Sequence, residues 1–75
     1  MSEDQATLQN RLAKAEEELA RVNGVVTGQR DMVARSEREG RDTTLAKELL
    51  ATFERLQQAH VEHRDRLLKK LEALC

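Results

Sequence analysis

Two histidines, His60 and His63, stand in the stretch LQQAHVEHRDRLL where a helix of this pattern calls for leucines. Imidazoles three residues apart share one helix face, so the pair could ligate a metal, titrate near neutral pH, meet a partner or simply pack. The metal reading is testable against known spacings. A di-iron bundle site needs Glu three residues before His, but Gln57 and His60 occupy those places, and the zinc-protease pattern His-Glu-x-x-His is absent. Two imidazoles also underfill a tetrahedral zinc site unless Glu62, Cys75 or a second subunit supplies further ligands.

The packing reading puts both rings on a helix–helix seam, each bonding a nearby side chain or carbonyl. Polar groups on such a seam fix register and oligomeric state at a cost in stability. A third reading is pH sensing. An imidazole buried neutral has a depressed folded pKa, so stability would fall as pH drops through the unfolded value, about 6.5.

Other reactive residues offer less. Cys75, the single cysteine, stands at the last position and is expected to be an inert thiol. Arg64, Asp65 and Arg66 read as a solvated charge cluster. No nucleophile is accompanied by a base and an orienting group, and no glycine loop is arranged to cradle a phosphate. An enzyme is therefore not expected, and no cofactor is called for.

Composition narrows the class further. The 75 residues carry 13 Lys and Arg against 14 Asp and Glu, a net charge of −1, so neither nucleic acid nor an anionic membrane is an expected partner. No apolar run is long enough to span a bilayer and no signal peptide opens the sequence, so a cytoplasmic location is expected. Charged residues make up 36% of a chain with no proline and one aromatic side chain, Phe53. Such a mixture at helical period reads as long helices or a coiled coil.

The elements that would position the histidines follow from the apolar spacing. Leu8, Leu12, Ala15, Leu19, Val22, Val26, Gln29 and Val33 alternate in steps of four and three, the heptad repeat of a helix with one seam. Ser2-Glu3-Asp4-Gln5 fits a capping box at its start. Gly24 and Gly28 weaken the helix but leave the heptad in phase, which predicts a continuous helix over about 3–39. Gly40 suits the left-handed residue that ends a helix, and Asp42 or Thr43 can cap the next one, over about 43–74. The second seam is expected to run Leu49, Phe53, Leu56, His60, His63, Leu67, Lys70 and Leu74.

Folded back around residues 40–42, the two seams pair at a constant sum of position numbers: Val33 with Leu49, Gln29 with Phe53, Val26 with Leu56, Val22 with His60, Leu19 with His63 and Ala15 with Leu67. The expected fold is all-α, an antiparallel helical hairpin forming a single domain. Val25 and Met32 on the first helix and Leu45, Leu50, Leu68 and Leu71 on the second lie beside the seam, a stripe too wide for two helices to cover. Dimerisation into a four-helix bundle is the expected consequence, with docking on another protein as the alternative.

The stretch Gly40-x-Asp42-Thr43-x-x-Ala46-x-x-Leu49-Leu50-x-x-Phe53, followed by His60-x-x-His63-Arg64, resembles a pattern in short alphaproteobacterial helical proteins of unknown function. The resemblance covers roughly residues 30 to 68 and implies a bacterial cytoplasmic helical module tied to signalling or stress responses. It carries no activity and no site residue. Function thus narrows to two readings: a self-associating interaction or regulatory module, or a small metal-binding or pH-responsive protein using His60 and His63.

Overall fold

The computed structural model describes residues 4–74, which form two helices, α1 (Gln5–Arg38) and α2 (Thr44–Ala73), packed side by side along their length. The hairpin measures 55 × 16 × 15 Å, and no strand occurs among the described residues.

Asp4 opens α1: its side-chain oxygen accepts the Thr7 amide at 2.7 Å, satisfying one of the orphan donors of the first turn. The capping box expected from Ser2 falls outside the described residues, and the cap stands two residues later. The helix passes unbroken through Gly24 and Gly28, both of which face open space.

A Schellman motif ends α1. The Arg41 amide donates to the Ser36 carbonyl at 2.9 Å and the Gly40 amide to the Glu37 carbonyl at 3.1 Å, with Gly40 at φ +74°. That backbone conformation is strained for any residue with a Cβ, which is why glycine stands there. Thr43 occupies the cap position of α2 by backbone, its carbonyl accepting the Lys47 amide at 2.8 Å. The side chain that caps belongs to Asp42, whose Oδ1 accepts the Thr44 amide at 3.0 Å and the Thr44 hydroxyl at 2.7 Å.

The seam of α1 is the expected one. Leu8, Ala15, Leu19, Val26, Gln29 and Val33 are buried, with Leu12 and Val22 half-buried between them. The seam of α2 differs. It runs through Thr43, Ala46, Leu50, Phe53, Gln57, His60, Arg64, Leu67 and Leu71, again in steps of three and four, with Ala51, Glu54, Val61, His63 and Asp65 partly covered beside it. Phe53, His60 and Leu67 keep their expected places. Leu49, Leu56 and Leu74 do not: each is nearly half exposed, and Lys70 is exposed as well. The helix is turned by about 50°, one heptad step, from the expected face.

Candidate functional site: the two faces of the hairpin

With heptad positions lettered so that a and d form the seam, the two remaining flanking positions, e and g, define two broad faces of the ribbon. The e face carries Asn23, Arg30 and Glu37 of α1 beside Lys47 and Glu54 of α2. Arg30 pairs with Glu54 at 2.8 Å, Lys47 approaches Glu37 at 3.7 Å, and Gln57 Nε2 donates from the seam to Asn23 Oδ1 at 2.8 Å. These partners advance along α1 as they retreat along α2, as antiparallel helices require. Polar links thus lace this face over the half of the hairpin nearest the turn.

The g face over the same half is different. Val25 and Met32 of α1 and Leu49 and Leu56 of α2 occupy it, exposed by 47%, 54%, 46% and 47%, and Leu45 extends it outward at 80%. The neighbouring outward positions hold Gly28, Thr52 and Ala59 within the patch, with Arg21 and Arg35 at its two borders on α1. Towards the open end the g face turns polar, with Arg11, Glu18, His63 and Lys70.

The expected surface residues therefore divide. Val25, Met32 and Leu45 lie on or beside the open apolar face. Leu68 lies on the opposite one, while Leu50 and Leu71 turn into the seam, Leu71 packing on the Leu8–Ala15–Leu67 cluster. Apolar spacing missed Leu49 and Leu56 as surface residues because it placed them in the seam.

His60 stays on the seam, partly buried, with Nδ1 3.9 Å from Glu18 Oε2, beyond hydrogen-bonding distance. His63 moves out of the seam to the g position, away from the Leu19 pairing expected of it, and remains partly buried. Among the described residues no three His, Cys, Asp or Glu side chains gather as a metal site, and Cys75 lies outside them.

A shallow groove of about 390 Å³ on the e face is lined by Glu16, Leu19, Ala20, Asn23, Arg64 and Leu68. Arg64 would be its anchor for an anion, but its guanidinium is already engaged by Asp65 Oδ1 at 3.0 and 3.2 Å. The perturbed carboxylates are structural. Asp4 and Asp42 are each held below the usual aspartate value by a backbone amide, of Thr7 and Thr44 respectively.

No helix among the described residues is long and apolar enough to cross a membrane. No protein-family model, curated protein or solved structure matches the chain.

Proposed function

We propose that the chain is a non-enzymatic helical-hairpin module that works by protein–protein association, first of all with itself. The observation that carries this reading is the cluster of half-exposed Val25, Met32, Leu49 and Leu56 on one face of a chain with few fully buried apolar side chains. Apolar side chains grouped in this way mark an association surface rather than a solvated one. The slender shape supports the same reading. The chain exposes 5657 Å², whereas a globular monomer of 8.6 kDa exposes about 4,700 Å².

Two partner classes follow: a second copy of the chain, or a helical segment of another protein laid on the same face. A bacterial cytoplasmic setting and a tie to signalling rest on the resemblance of residues 30 to 68 and belong to the same proposal. Sedimentation equilibrium tests it. The expected mass rises with concentration towards twice 8.6 kDa. A monomer at every concentration removes self-association and leaves the second partner class.

A further inference from the structure

We infer that two copies of the hairpin associate face to face through the g face, with Val25, Met32, Leu49 and Leu56 of one copy set against the same four residues of the other. The inference rests on the self-association reading above and adds which face is used.

The two broad faces are alternatives, and their chemistry separates them. Covering the e face near the turn would take the Arg30–Glu54 pair and the Gln57–Asn23 bond out of water, which costs desolvation for little gain. Covering the g face there removes chiefly apolar side chains from solvent, with Arg21 and Arg35 left at the border of the patch. The area also suits a second copy. A ribbon 55 Å by 16 Å presents a face of about 900 Å², and the apolar half nearest the turn is about 450 Å² of it, so a pair seated there buries about 900 Å² in total, the size of a weak, concentration-dependent association.

The patch is matched to itself. In an antiparallel hairpin Val25 lies level with Leu56 and Met32 with Leu49, so a two-fold axis lying between the ribbons along the helices sets each α1 residue over its α2 counterpart in the partner. The same axis stacks seam and g positions of four helices into one core, the arrangement of a four-helix bundle. Gly28 borders the patch, and a Cβ there would meet nothing within 4 Å. Its missing side chain does no work inside the hairpin but leaves room for a partner helix.

The test is sedimentation equilibrium on the full chain and on Met32→Glu, Leu49→Glu and Leu68→Glu, with helix content followed by circular dichroism. All three positions are at least partly exposed, so the hairpin tolerates the charge. The two g-face variants are expected to weaken dimerisation by about 100-fold or more, and Leu68→Glu on the opposite face by less than about threefold. Where a glutamate lowers helix content, Met32→Gln is the replacement, with a smaller loss in the same direction. A dimer that survives both g-face changes but is lost in Leu68→Glu overturns the inference and leaves self-association standing. A native chain that is monomeric throughout overturns both.

Discussion

Arg30 and Glu54 meet at 2.8 Å across the two helices, and the face they span carries further polar cross-links, whereas the opposite face at the same level presents Val25, Met32, Leu49 and Leu56. The pair is an internal gauge of register, since the two residues come level only if the chain folds back around Gly40. Both side chains are about half exposed, so each single reversal, Arg30→Glu or Glu54→Arg, is expected to cost no more than about 1 kcal/mol. The double reversal should recover most of that loss, and the recovery should vanish in about 1 M salt. Denaturant unfolding of the four-member cycle measures it, and a double variant no better than the sum of its singles would contradict the register.

Glycine positions supply a second prediction, with opposite signs at two sites. Gly40 sits at φ +74°, so Gly40→Ala forces a Cβ into the left-handed region and is expected to destabilise the hairpin by about 1 kcal/mol. Gly24 lies within α1 and faces open space, so Gly24→Ala should stabilise by up to about 1 kcal/mol through helix propensity alone. Thermal melts by circular dichroism separate the two. Equal effects at both sites would mean that the turn does not depend on the left-handed residue.

The first helix was legible in the sequence because its alternatives are poor. Outside the seam it offers Val25 and Met32 but little other bulk, so the heptad from Leu8 to Val33 has one solution. On the second helix Leu49 and Leu56 compete with Leu50 and Leu71 for the same role, and Phe53, His60 and Leu67 belong to either set. Apolar count does not decide between them, since each set holds two leucines and two polar residues, His63 and Lys70 in the first and Gln57 and Arg64 in the second. The fold accommodates both polar groups of the second. Gln57 donates to Asn23 on α1, and Arg64 stays near the surface against Asp65. Across the seam, Gln29 reaches the carbonyl of the small Ala46 at 3.4 Å. Those cross-helix partners lie more than fifteen residues away in the chain, where heptad counting does not look. The same turn of α2 carried Leu49 and Leu56 onto the open face and moved His63 out of the seam.

That difference is measurable at two adjacent residues. Leu67 is 2% exposed and closes the cluster with Leu8 and Ala15, whereas Leu68 is 37% exposed on the e face. Leu67→Ala should therefore cost about 2–4 kcal/mol, the range for emptying a packed leucine site. Leu68→Ala should cost less than about 1 kcal/mol. Chemical denaturation of the two variants at one protein concentration compares them directly, and a larger loss at Leu68 would reverse the assignment of faces.

The last prediction concerns acid. Asp42 is held below the ordinary aspartate pKa of 3.8, first by the Thr44 amide and then by the Thr44 hydroxyl, and Asp4 likewise by Thr7. A carboxylate whose folded pKa is lowered contributes stability that is complete above its unfolded value and is lost as pH falls through the folded one. The caps should thus leave stability flat from neutrality down to about pH 5 and weaken it progressively below about pH 4. Asp42→Asn keeps an acceptor oxygen for the Thr44 amide but has no proton to gain, so it should preserve stability at pH 7 and flatten part of the acid limb. Asp42→Ala loses the acceptor altogether and should lower the melting temperature at pH 7 by a few degrees. Melting curves of the three chains between pH 7 and pH 2.5 carry the test. Parallel acid limbs for the native chain and Asp42→Asn would show that the carboxylate at the turn is not what the acid removes.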